Sequence, residues 1–232
     1  IAVVRGVFDR IRHLLTVGTV CLYLKKGNRT LTADRWCFRA IQQGVLSVNT
    51  LQLLQGLANA FPDPTGAGDL FPLVLSRMCR QDQDEVIFEP FLSLQEGLSL
   101  LDENPGEIEN FLPAAIDSLT LLLKNLAPAL APNRLLVKRM LEDGTKVFDH
   151  LTPGVVQLDP KAVPAIPLPA NFAVLVSQDM LNNIFCGPFL RFDEAQGTLA
   201  PAPVEEHQVF DFLKKFDAHE AYLSFLSEAA SE

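Results

Sequence analysis

The chain has 232 residues, 48% of them hydrophobic and 20% charged, a balance that supplies a sizeable core and excludes a disordered or purely solvating polymer. Its net charge of −9 and sequence pI near 4.9 argue against a broad phosphate-binding surface, because nucleic-acid affinity rests on Lys and Arg neutralising backbone phosphates. Nucleic acid is therefore not an expected partner.

From the N-terminus, Val4, Val7, Phe8, Ile11, Leu15, Gly18 and Leu22 recur at helical spacing, which predicts an amphipathic helix ending near Lys25-Lys26-Gly27-Asn28. Thr32 or Asp34 is the expected cap of a second helix carrying Trp36, Phe38 and Ile41, and Ser47 that of a third through Leu51, Leu54, Leu57 and Ala58. Phe61 to Gly68, rich in Pro and Gly, is a break. A short helix is expected from about Leu70 to Arg80, then an acidic stretch from Gln81 to Glu85. A further helix, interrupted at Pro90, resumes through Leu92, Leu94, Leu98 and Leu101. Asn104-Pro105 suits a cap and first turn. The helix after it carries a stripe of Ile108, Phe111, Ile116, Leu119, Leu123 and Leu126. Leu121 and Leu122 fall off that stripe, which predicts a helix apolar on most sides and central, kinked or split at Pro113.

From Thr145 to Pro169, five prolines exclude regular helix and predict an extended, polyproline-like connector. Val155-Val156 and Phe172 to Val176 are the only strand candidates. A short helix after Ser177, ending at Gly187-Pro188, a linker from Gln196 to Pro203, and a final helical pair from Val204 to Ala230 complete the chain. The expected fold class is all-α: a helical core over 1–143, a Pro-rich extended connector over 144–176, and over 177–232 a short helix, a linker and a C-terminal helical pair packed on or near the core. Leu14 to Leu24 is about half the length needed to cross a bilayer, and Phe111 to Ala131 is interrupted by Asp117, Lys124, Asn125, Pro113 and Pro128. No transmembrane helix is expected, while peripheral association with a membrane complex stays open.

Chemistry is sparse. Cys21, Cys37, Cys79 and Cys186 are widely spaced and read as buried or half-buried thiols in a reducing compartment. The sequon Asn28-Arg29-Thr30 matters only in a secreted chain. The start at Ile1 rather than Met is compatible with removal of an upstream targeting segment. His207 and Asp211, four apart, with Asp217, His219 and Glu220 nearby, lack any metal-binding pattern and read as solvated helix positions. The acidic groups at Asp82, Asp84 and Glu85, and at Asp102, Glu103, Glu107 and Glu109, lack the EF-hand alternation. Gly66-Ala67-Gly68 lacks the Lys-Ser/Thr of a phosphate loop, and no nucleophile elbow occurs. No catalytic residue, metal or cofactor is expected. The candidate contact residues are apolar: Val209, Phe212, Leu213 and Phe216 on the penultimate helix, and Phe185, Phe189 and Phe192 around a proline-containing bend.

The leucine-rich helix from Phe111 to Leu130, the proline-broken connector and the run Val176-Ser177-Gln178-Asp179-Met180-Leu181-Asn182-Asn183-Ile184-Phe185-Cys186-Gly187-Pro188-Phe189 together resemble the helical region of poly(ADP-ribose) glycohydrolases. There a Ser-Gln-like helix start leads through paired leucines to a Phe/Cys/Phe ending, over a spacing several residues longer than here. The resemblance covers at most half the chain. It implies an accessory helical part without the catalytic macrodomain, since the family's glycine-rich loop and consecutive acidic residues have no counterpart. The expected function is a structural or protein-interaction module, a subunit of a larger assembly. The alternatives are a degenerate or truncated glycohydrolase-like protein and a carrier of an apolar ligand in the Phe-rich interior.

Overall fold

A computed structural model describes residues 1–61, 85–130, 134–141, 144–149, 156–158, 172–176, 183–193 and 195–231. These are mostly helical, as the sequence predicts, with seven α-helices among the described residues. In chain order they are α1 (Ala2–Lys26), α2 (Leu31–Gln43), α3 (Thr50–Ala58), α4 (Glu85–Glu103), α5 (Ile108–Leu130), α6 (Glu206–Lys214) and α7 (His219–Ala229). A 3-10 turn, Pro105–Glu107, joins α4 to α5. The helix expected over 70–80 lies outside the described residues.

The caps differ from the expected ones: that of α2 lies upstream of Thr32 and Asp34, and that of α3 two residues downstream of Ser47. Thr30 caps α2 by accepting a hydrogen bond from the Ala33 N–H, and Asn49 caps α3 by accepting from Gln52. Each satisfies an N–H that has no partner within its helix. α6 opens on a reciprocal pair, in which the Gln208 side chain accepts from the Glu205 N–H while the Glu205 side chain caps the first turn.

The central helix is α1 rather than α5. Every residue from Leu15 to Leu24 is buried, so the apolar run too short for a bilayer instead threads the core. Of its two threonines, Thr16 is served: its Oγ1 donates to the Arg12 carbonyl at 2.8 Å and lies 2.8 Å from Thr50 Oγ1 on α3. α1 packs against α3, α5 and the sheet. α5 instead lies at one side, packed chiefly on α4. Neither proline breaks its helix: α4 runs through Pro90 and α5 through Pro113. In α4 the lost N–H bond is offset by Pro90, Phe91, Leu94 and Leu98, all buried along one stripe.

The strands depart furthest from expectation. The described residues between 134 and 201, a span assigned in sequence to core helix, connector, short helix and linker, contain seven strands: β1 (Arg134–Leu141), β2 (Gly144–Asp149), β3 (Val156–Leu158), β4 (Phe172–Val176), β5 (Asn183–Phe185), β6 (Leu190–Asp193) and β7 (Thr198–Pro201). They form one antiparallel sheet in the order β3-β2-β1-β4-β6-β7, with β5 also on β4. The strands expected near Val155-Val156 and at Phe172 to Val176 are present as β3 and β4. The others were masked by prolines and by runs such as Arg134–Leu141, whose pairing partner on one side, β4, lies over 30 residues away. The helical core therefore ends before residue 134, and strand β5 stands where the end of a short helix is expected. The β6–β7 turn is held by Asp193, whose carboxylate accepts from the Ala195 and Gln196 N–H groups, and by Gly197 at φ +63.

The sheet adds Leu136, Ile184 and Leu190 to the helical core, while Val137 and Phe192 form a smaller cluster with Leu199.

Candidate functional site

The apolar residues singled out in the sequence converge, but inward. Phe212 and Leu213 are buried, and Val209 and Phe216 are half-buried against the same core. Phe189 is buried in the turn before β6 and meets Phe212 edge to face, with ring centroids 5.3 Å apart; Phe212 in turn meets Phe216 at 5.0 Å. Phe192 is buried in the smaller cluster and Phe185 belongs to β5. In a separate aromatic group, Tyr222 of α7 meets Phe210 of α6 at 6.0 Å and Phe38 of α2 at 5.4 Å. The face of α6 that the sequence marks as needing a cover is thus covered by the chain itself, and the C-terminal pair closes the core.

Of the polar candidates, His207, Asp211, Asp217 and Glu220 are exposed and His219 is half-buried, while Asp82 and Asp84 lie outside the described residues. His207 Nδ1 lies 3.2 Å from Glu205 and Asp211 lies 3.7 Å from Lys214, all exposed. Among the described residues, no three His, Cys, Asp or Glu side chains form a set that could hold a metal ion. Cys21, Cys37 and Cys186 are buried, and burial pushes the Cys21 and Cys37 thiols well above their ordinary range, which suits packing rather than nucleophilic chemistry. Cys79 lies outside the described residues. Near Cys37, the Tyr23 hydroxyl donates to Asp34 at 2.8 Å, Arg29 pairs with the same carboxylate, and the guanidinium lies over the Tyr23 and Phe38 rings. This cluster pins the α1–α2 connection.

What the sequence reading missed lies on α4 and α5. Five large apolar residues are exposed within 24 positions there: Leu100, Ile108, Ile116, Leu121 and Leu123, with Leu100 59% and Ile116 48% exposed. The buried stripe of α5 is Leu112, Ala115, Leu119, Leu122 and Leu126, of which only Leu112 is partly open. Ile116 and Leu123 of the expected stripe therefore face outward. Between the two helices lies a concavity of about 340 Å³ lined by Gly97, Leu100, Leu101, Phe111 and Ala114, with Asn104, Glu107 and Asn110 at its polar edge. Leu121 sits seven residues beyond Ala114, on the same side of α5. Gly97 makes the close approach possible, since a Cβ at that position would overlap the Phe111 ring. The hairpin is fastened to α1 by Arg5, which donates to both Asp102 carboxylate oxygens, at 2.7 and 3.0 Å, and to the Leu98 carbonyl at 3.3 Å. The signal available in the sequence was the clustering of Leu119, Leu121, Leu122 and Leu123, which one helix face cannot bury together.

A second, more polar hollow of about 220 Å³ lies between α2 and α3, lined in part by Trp36, Arg39 and Gln52. Among the described residues, no helix is long and apolar enough to cross a membrane. No protein-family model, curated protein or solved structure matches the chain.

Proposed function

We propose that the protein is a non-catalytic helical module that docks onto another protein through the α4–α5 hairpin, as a subunit of a larger assembly. The observation that carries this reading is the apolar concavity of that hairpin, lined by Leu100, Leu101, Phe111 and Ala114, with Leu100 and Leu121 exposed on its side. Single exposed leucines are ordinary on a protein surface, but an open concavity walled by apolar side chains is costly to leave in water and is characteristic of an interface. The accessory role implied by the glycohydrolase resemblance is one form of the same proposal, in which this chain supplies contacts and no catalytic group.

The test is a paired purification of the intact protein and of a variant carrying Leu100→Ser, Ile116→Ser, Leu121→Ser and Leu123→Ser. The proposal expects a stoichiometric protein partner with the natural chain and its loss with the variant, at an unchanged melting temperature. The same partner on both proteins, or none on either, would overturn it.

A further inference from the structure

The charge around the hairpin is as one-sided as its apolar surface. From Glu85 to Asp117 the chain carries Glu85, Glu89, Glu96, Asp102, Glu103, Glu107, Glu109 and Asp117, and no Lys, Arg or His until Lys124. These eight carboxylates account for nearly all of the net charge of −9, so the remainder of the chain is close to neutral. Asp102 is paired with Arg5 of α1. Glu96, Glu103, Glu107, Glu109 and Asp117 are exposed, and Glu107 lines the concavity directly, held there by the Asn110 side-chain amide, which donates to it at 2.8 Å.

Building on the docking reading above, we infer that the α4–α5 concavity takes a cationic amphipathic helix of a partner protein. The partner's apolar side chains fill the space between Leu100, Leu101, Phe111 and Ala114 and reach Leu121 two turns further along α5, and its Lys or Arg residues lie against the acidic rim. Two antiparallel helices with a trough between them offer a third helix a natural seat, read by anchors one helical turn apart. The acidic rim selects among such helices. A basic one gains attraction on approach and neutralises carboxylates that already repel each other, while an acidic one pays like-charge repulsion at every turn. The same argument disfavours a second copy of this chain, since self-docking would bring two blocks of eight carboxylates together.

Three 18-residue helical peptides test this by fluorescence anisotropy against the intact protein: one of Leu and Lys with leucines at i, i+3, i+4 and i+7, one with Glu replacing every Lys, and one with Ala replacing every Leu. The expected result is one-to-one binding of the Leu/Lys peptide, at least tenfold tighter than either control. It should fall at least tenfold in Leu100→Ser/Leu121→Ser, which keeps the full charge, and severalfold in Glu103→Gln/Glu107→Gln or on raising the salt from 50 to 300 mM. Circular dichroism and melting temperature should be unchanged in both variants. Equal binding of the Leu/Lys and Leu/Glu peptides, both lost in the serine variant, would overturn the charge inference while leaving the apolar docking surface standing. Leu/Lys binding that survives the serine substitutions would reduce the effect to non-specific attraction and overturn it. So would absence of binding, or self-association of the natural chain that the serine variant abolishes.

Discussion

Phe189 and Phe212 meet edge to face across the junction of sheet and C-terminal helices, 5.3 Å between ring centroids and 82° between ring planes. This contact locks α6 onto the turn before β6. Replacing Phe212 by Ala removes a side chain that is 2% exposed and should cost about 3–5 kcal/mol, cavity included. Deleting everything after Pro203 also removes Leu213 and Tyr222 from the core, and the fragment should not melt cooperatively. Denaturant titration and calorimetry check both, and a truncated chain with a sharp native transition would contradict them.

Leu121 and Leu122 are adjacent in sequence and opposite in environment: one is 44% exposed and the other fully buried. Leu122→Ala should destabilise by about 2–5 kcal/mol, while Leu121→Ala should stay within about 0.5 kcal/mol of the natural protein. Urea midpoints of the two variants measure this directly. Comparable losses would mean that α5 is rotated from the face described.

That pair also shows where sequence reading stops. Helix positions at both ends of the chain were legible from their amphipathic stripes, while the caps were not: Thr30 and Asn49 stand where Thr32 or Asp34 and Ser47 were expected. The phase of α5 was not, because Leu119 and the run Leu121 to Leu123 leave no polar side to orient it, and burial is then decided by which neighbours cover it. The sheet was hidden for a different reason. β1 gains its identity from β4, far along the chain, and from a hairpin partner, β2, that falls in the same segment as many prolines. The exposed leucines of the α4–α5 hairpin became visible only once burial separated them from packed ones. The absence of cations before Lys124 was already readable in the sequence, as a charge pattern rather than a motif.

Stability should fall on the acid side in two windows. Burial, with Arg12 adding like-charge repulsion, holds the His13 imidazole below its ordinary range. The unfolded chain therefore binds the proton first, and stability is lost as pH drops below about 6.5. The Arg5 hydrogen bonds hold the Asp102 carboxyl below its ordinary value. Its contribution is present above the unfolded carboxylate range and lost as pH falls through the lower, folded value. His13→Gln should flatten the slope of stability between pH 7.5 and 5.5, and Asp102→Asn should leave that window unchanged while reducing the loss at lower pH. An unaltered slope in His13→Gln would contradict the assignment.

Gly97→Ala tests the close approach of α4 and α5. The added methyl meets the Phe111 ring, so the helices must part or the ring must turn, at about 1–3 kcal/mol. The same change at Gly106, where nothing lies within 4 Å of the added atom, should be nearly neutral. Thermal melts of both variants check the contrast.

The most direct test of the docking surface is a photo-activatable cross-linking residue placed at Leu121 in the full-length protein inside its native cells, with the same residue at Glu228 on α7 as the remote control. A single discrete protein adduct from position 121, absent from position 228 and lost when Leu100→Glu is added, is the result expected. No adduct at 121, or the same adducts from both positions, would contradict the proposal that the α4–α5 hairpin docks a partner protein.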